Sequence, residues 1–159
     1  MNFFGGNWTR LKIEVVVEYA KAYLAIMNKY PRFKCLYFDG FAGSGNIYND
    51  NKTDIEEIKG AAVRILEIDF PKSFDMYYFV ELDKNNKDAL DQTISSKFPH
   101  KRINSFVVQE DCNTKMESMS TFLRKNKDFK SLPLLIPMEC LLIGLQLKYC
   151  ENWALTCGY

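Results

Sequence analysis

Cys35-Leu-Tyr-Phe-Asp39 is a short apolar run that ends in an acid, and Gly40-Phe-Ala-Gly-Ser-Gly45 follows it at once. The run predicts a buried strand, and the glycines predict a tight turn that a ligand can approach closely. Their spacing, Gly-x-x-Gly-x-Gly, differs from the dinucleotide pattern Gly-x-Gly-x-x-Gly and from a P-loop, which ends in Gly-Lys-Ser/Thr. A polar stretch, 46–53, also separates the turn from the next helix, whereas bound phosphate favours a helix N-terminus directly after the turn. We therefore expect a ligand without phosphate and not a nucleotide.

Helices and strands alternate on both sides of this turn. Apolar residues at helical spacing predict helices over 12–28, around 61–66, over 83–96 and around 116–123. Apolar runs predict strands over 35–39, 76–80, 106–108 and 132–136. This order favours an α/β fold with a parallel sheet and helices on its faces.

Three successive predicted strands are followed by acids, which are Asp39, Glu81 and Asp111. Ligands of such sheets bind beyond the carboxyl ends of the strands. There Glu81 can accept hydrogen bonds from both ribose hydroxyls, Asp111 can meet an adenine edge, and Asp39 can face a cationic group. Together they suit a nucleoside with an amino-acid arm, so we expect S-adenosylmethionine as the cofactor. An acid in this place is also a common helix N-cap, so both roles stay open for Asp111, while Asp83 is expected to cap its helix.

The composition of the chain limits the classes of protein to which it can belong. The chain has 159 residues, 47% of them hydrophobic, and a formal net charge of +1. These values are typical of one soluble domain and leave nucleic acid without support as a partner. No apolar run approaches the roughly 20 residues that span a bilayer, and the N-terminus has no signal-peptide pattern. Five cysteines without a CxxC pair, and a single histidine, His100, argue against a disulfide framework or a metal site. We therefore expect a cytoplasmic chain with no membrane partner.

The segment Tyr37-Phe-Asp-Gly-Phe-Ala-Gly-Ser-Gly45 resembles motif I of Rossmann-type S-adenosylmethionine-dependent methyltransferases. Over about residues 8 to 134 the chain more closely resembles the three-Cys-motif partner (TcmP) family of methyltransferase-like proteins. The similarity also includes the opening helix with Trp8, Lys12, Tyr19 and Tyr23, then Lys59-Gly-Ala-Ala-Val-Arg64, Phe79-Val-Glu-Leu-Asp83 and Gln109-Glu-Asp-Cys-Asn113.

This resemblance implies the N-terminal half of a Rossmann-like, class I methyltransferase sheet. It also implies a partner protein that carries a three-cysteine motif, which the five cysteines of this chain do not form. The cofactor contacts are then expected at Asp39, Gly40, Phe41, Ala42, Gly43, Ser44, Gly45, Glu81 and Asp111.

One family feature is missing after the fourth predicted strand. The family has Asp-Pro-Tyr-Gly or Asp-Pro-Phe-Gly there, facing the transferred methyl group, whereas this chain has Ile136-Pro-Met-Glu-Cys140. Codons for Ile-Asp-Pro-Tyr-Gly-Met, read one base later, spell Leu-Ile-Pro-Met-Glu-Cys, which is the sequence of residues 135–140. We therefore expect a frameshift, with a methyltransferase-like half-domain over 1–134 and an out-of-frame tail over 135–159. The alternative is a genuine tail that forms a short strand and a helix.

The function expected from the sequence is that of a truncated S-adenosylmethionine-dependent methyltransferase-like protein, inactive as written, with no identifiable catalytic residue. The alternative is a non-catalytic module that binds a cofactor or a partner. A nucleotide hydrolase is disfavoured because the phosphate-binding lysine is missing.

Overall fold

Four parallel strands form the central sheet in a computed structural model, which describes residues 6–47 and 58–134. Helices cover both faces of the sheet, so the predicted α/β fold is confirmed. In chain order the elements are α1 (Gly6–Met27), β1 (Lys34–Asp39), β2 (Asn46–Ile47), β3 (Ile58–Lys59), α2 (Ala61–Leu66), β4 (Met76–Glu81), α3 (Lys84–Lys97), a 3₁₀ helix (Pro99–Asn104), β5 (Ser105–Gln109), α4 (Cys112–Lys125) and β6 (Phe129–Leu134). None of the helices in these ranges is long and apolar enough to cross a membrane.

The order of the strands places the candidate site. Across the sheet it is β5-β4-β1-β6, so the chain moves outward from β1 through β4 to β5 and then returns to the other side of β1. Asp39, the last residue of β1, stands in register with Phe79 of β4 and Leu134 of β6. Ligands of open α/β sheets bind at such a reversal, beyond the carboxyl ends of the strands. The glycine-rich turn follows β1 at this point.

The two faces of the sheet carry different cores. On one face α1, α2 and α3 pack against aromatic residues of the strands, including Tyr37, Tyr77 and Phe79. On the other face α4 packs against Leu36, Phe38 and Val80. β1 is buried from Cys35 to Asp39 because it is the inner strand that both layers cover, as its continuous apolar run predicts.

Several helices and strands begin at residues other than those predicted from the sequence. The first helix begins at Gly6 and not near Lys12. Residues 46–47, predicted as loop, form β2, which pairs antiparallel with β3, while 48–53 lie outside the described residues. β6 begins at Phe129, three residues earlier than predicted, because Lys34 of β1 aligns with it. The predicted continuation of this strand over 135–136, and the whole tail over 135–159, also lie outside the described residues.

Candidate functional site

The glycine-rich turn is fastened to the strands on both sides of β1. The Gly40 N–H donates to the carbonyl of Leu134 on β6 at 2.9 Å, and the Ala42 N–H donates to the carbonyl of Val80 on β4 at 3.0 Å. Gly43 and Gly45 have φ angles of +64° and +81°, which lie in the left-handed region that other residues rarely adopt. The backbone of the turn therefore runs across the carboxyl end of the sheet in a conformation that depends on glycine.

Glu81, at the end of β4, binds this turn through its side chain. One carboxylate oxygen accepts a hydrogen bond from the Gly43 N–H at 2.7 Å, and the other accepts one from the Asp83 N–H at 2.9 Å. An ionised carboxylate has about four acceptor positions. Glu81 is half-buried and retains acceptor capacity for a ligand after both backbone contacts are made.

Asp39 lies on the inner side of the same turn and is only 1% exposed. Its Oδ1 accepts a hydrogen bond from the Phe41 N–H at 3.0 Å, and its Oδ2 accepts a longer one, 3.4 Å, from the Tyr37 hydroxyl. Burial raises the pKa of Asp39 to about 7, because these two hydrogen bonds offset the lost hydration only in part and the negative charge of Glu81 adds to the rise. The charge of this carboxyl group therefore changes near neutral pH.

The third acid has a structural role in the observed geometry. Asp111 accepts a hydrogen bond from the Thr114 N–H at 3.1 Å and is the N-cap of α4. Of the two roles that the sequence leaves open for Asp111, the cap is the one observed, and a contact with adenine stays a prediction. Asp83 caps α3 by accepting from the Asn86 N–H at 2.9 Å, so that expectation is confirmed.

The remaining predicted contact residues all lie in the turn. Phe41 is 38% exposed, Ala42 and Ser44 are half-buried, and Gly40 and Gly45 are buried. The turn therefore presents Phe41 outward and encloses Gly40 beneath it.

Two residues of the site were not among the predicted contacts. Cys112, the first residue of α4, lies against Gly40, where a Cβ added to the glycine would collide with its sulfur. Gly60 donates its N–H to the carbonyl of Gly45 at 2.8 Å, and an added Cβ would lie 2.9 Å from the same oxygen. Both residues belong to segments that carry the family resemblance, which is the signal that could have found them.

Cys112 does not have the properties of a nucleophile. Burial raises the pKa of its thiol to about 11, and the charges of Asp111 and Asp39 add to the rise. A thiolate is the reactive form of cysteine, so Cys112 fills space beneath the turn at neutral pH. Among residues 6–47 and 58–134, no three His, Cys, Asp or Glu side chains gather as metal ligands do.

Comparison of the chain with models of known protein families, with characterised proteins and with solved structures gives no significant match. The site is therefore interpreted from its own geometry.

The polar groups at this edge can be compared with those of S-adenosylmethionine, the cofactor expected from the sequence. The cofactor presents two ribose hydroxyls, which donate hydrogen bonds, and a methionine arm with a sulfonium and an ammonium group. Glu81 supplies acceptor oxygens beside the turn, and Asp39 supplies a carboxyl group beneath it. A Cβ added to Gly43 would meet no described atom within 4 Å, so the turn leaves open space where Glu81 reaches it.

Proposed function

We propose that this chain is a domain of the Rossmann-like methyltransferase type that binds S-adenosylmethionine. The hydrogen bond from the Gly43 N–H to the carboxylate of Glu81 carries the proposal, because it joins the turn after β1 to the acid after β4. The strand order supports it, since ligands of open α/β sheets bind at a reversal such as the one at β1. The membership of the TcmP family, and a partner with a three-cysteine motif, stay predictions from the resemblance.

Different residues of the chain contact different parts of the cofactor. Glu81 accepts hydrogen bonds from the ribose hydroxyls, Gly43 gives the ligand room beside the turn, and Asp39 faces the cationic methionine arm. When bound, S-adenosylmethionine supplies an activated methyl group on its sulfonium.

We further propose that the chain binds the cofactor without transferring a methyl group. Ile136-Pro-Met-Glu139 stands where the family has its acid-proline pair, so the residues that the family places beside the transferred methyl group are missing from this sequence. Detectable methyl transfer by the purified chain would overturn this part of the proposal. Resequencing the gene across Leu132 to Cys140 tests its cause, because a frameshift requires one base more or fewer than the printed reading.

Isothermal titration calorimetry with S-adenosylmethionine, S-adenosylhomocysteine and ATP tests the binding proposal. Glu81→Gln keeps the size of the side chain but removes its charge. A hydrogen bond to a charged group contributes about 1.5–3 kcal/mol, so we expect affinity to fall about 10- to 100-fold. The control is Glu18→Gln on the exposed face of α1, where Glu18 pairs with Lys21, and its affinity should not change. A chain that binds ATP but does not bind S-adenosylmethionine would contradict the proposal.

The alternative function is a module that binds a protein partner through its sheet. In the described part of the chain β6 is a strand at the edge, and edge strands pair readily with other chains. Size-exclusion chromatography separates the two functions. A monomer that binds S-adenosylmethionine favours the cofactor domain, whereas an assembly that does not bind it favours the partner module.

A further inference from the structure

The carboxyl group of Asp39 is placed where a negative charge is poorly stabilised. It ends the inner strand of the sheet, is 1% exposed, and accepts hydrogen bonds from the Phe41 N–H and the Tyr37 hydroxyl, the second at 3.4 Å. Two such contacts replace only part of the hydration of a carboxylate.

The groups that face Asp39 do not balance its charge. Tyr37 on β1 and Cys112 on α4 both have a pKa raised by burial, so both are neutral at pH 7. Glu81 on β4 acts on Asp39 with a charge of the same sign. From β6, the backbone carbonyl of Leu134 is engaged by the Gly40 N–H. The described groups around Asp39 therefore include no positive charge, and the proposed cationic ligand would supply one.

We propose that Asp39 holds a proton in the free protein and releases it to solvent when a cationic ligand binds at the glycine turn. This inference rests on the proposed function, which supplies the cation. S-adenosylmethionine carries a net charge of +1 at neutral pH, because its sulfonium and ammonium groups outnumber its carboxylate. S-adenosylhomocysteine has the same nucleoside and amino-acid arm but no sulfonium, so its net charge is zero. Asp39 then makes the site selective for the charged form of the cofactor.

The coupling between proton release and ligand binding sets the size and direction of the change in Kd with pH. With a pKa of about 7 in the free protein, Asp39 is mostly protonated at pH 6 and mostly ionised at pH 8. An opposite charge nearby lowers the pKa of a carboxyl group by about 1–3 units. Because binding then displaces a proton, the Kd for S-adenosylmethionine should rise about five- to tenfold from pH 8 to pH 6. The Kd for S-adenosylhomocysteine should rise less.

Calorimetry of the full chain in two buffers of different ionisation enthalpy measures the released proton directly. We expect a release of about 0.4–0.9 proton per S-adenosylmethionine at pH 6, about half a proton at pH 7 and little at pH 8. Asp39→Asn should remove both the release and the pH dependence. The control is His100→Gln, which removes the one histidine of the chain, and its proton release should match that of the unaltered protein.

A second measurement keeps the inference testable if Asp39→Asn does not bind. The side-chain carboxyl carbon of Asp39, followed by NMR, should titrate near pH 7 in the free protein and at least one unit lower with S-adenosylmethionine bound. Titration of the free protein below about pH 5, or binding without proton release, overturns the inference and leaves the proposed function intact. Absence of S-adenosylmethionine binding between pH 6 and 8 instead contradicts the proposed function.

Discussion

Replacing Asp39 with Asn should stabilise the ligand-free protein at alkaline pH. The folded state raises the pKa of Asp39 from 3.8 to about 7. Between these values the folded chain holds a proton that the unfolded chain has lost, so stability falls as pH rises through this window. Above pH 7 the full cost is present, and a rise of about 3 pKa units corresponds to about 4 kcal/mol. Asn is neutral at every pH and keeps an oxygen for the Phe41 N–H.

Urea unfolding followed by circular dichroism measures this effect. At pH 8 we expect Asp39→Asn to unfold with a free energy about 2–4 kcal/mol higher than the unaltered chain, with the lower bound allowing for local relaxation around the charge. At pH 4.5 the difference should fall to about 1 kcal/mol, because Asp39 is then neutral in the folded state while most unfolded chains have lost its proton. Glu117→Gln, an exposed carboxylate on α4, is the matched control and should show no such trend. A variant that is destabilised equally at both pH values would refute the reasoning, since it would mean that ionised Asp39 is well stabilised.

Three further predictions concern the turn and the start of α4. Gly60→Ala should lower the free energy of unfolding by about 2 kcal/mol or more, because the new Cβ meets the Gly45 carbonyl at 2.9 Å. Gly43→Ala should cost only about 1–2 kcal/mol, since its φ of +64° is strained for Ala but the space beside it is open; equal losses in urea unfolding would contradict this ranking. Asp111→Ala should cost about 1 kcal/mol through the lost N-cap of α4, whereas Asp111→Asn should restore most of it in the same assay. Alkylation of Cys112 by iodoacetamide, followed by peptide mass mapping, should be slow at pH 7 and accelerate toward pH 11, as its raised pKa requires; rapid labelling at pH 7 would show that the thiol is ionised there.

The alternation of the elements was predictable because it depends on local patterns. The apolar run of β1 and the helical stripe of α1 through Val17 and Leu24 both describe surfaces that must be buried, and the structure buries them. The β2–β3 pair was not predictable, because two strands of two residues each contain no measurable periodicity. The start of β6 was missed because Lys130 and Ser131 interrupt its apolar pattern.

The acids at the strand ends show where sequence reasoning about the site stops. Each of Asp39, Glu81 and Asp111 stands at or just after the end of a strand, so the sequence alone gives no reason to assign them different roles. Their surroundings separate them: Asp39 is buried, Glu81 binds the turn, and Asp111 caps a helix. The 3₁₀ helix shows the same difficulty, since His100 is exposed whereas neighbouring Lys101 is buried and donates to the Leu66 carbonyl. These differences arise from tertiary contacts that a single strand or turn does not encode.

The departure of the sequence from its family resemblance begins at a structurally important point. Leu134 is the last residue of β6, stands in register with Asp39, and binds the Gly40 N–H through its carbonyl. β6 therefore ends beside the glycine-rich turn, on the side of β1 opposite Glu81. In the proposed function the cofactor is bound by Glu81 and Asp39, whereas the missing acid-proline pair belongs to the sequence after Leu134. Binding of S-adenosylmethionine without methyl transfer is therefore consistent with the proposal, because the two depend on different segments of the sequence.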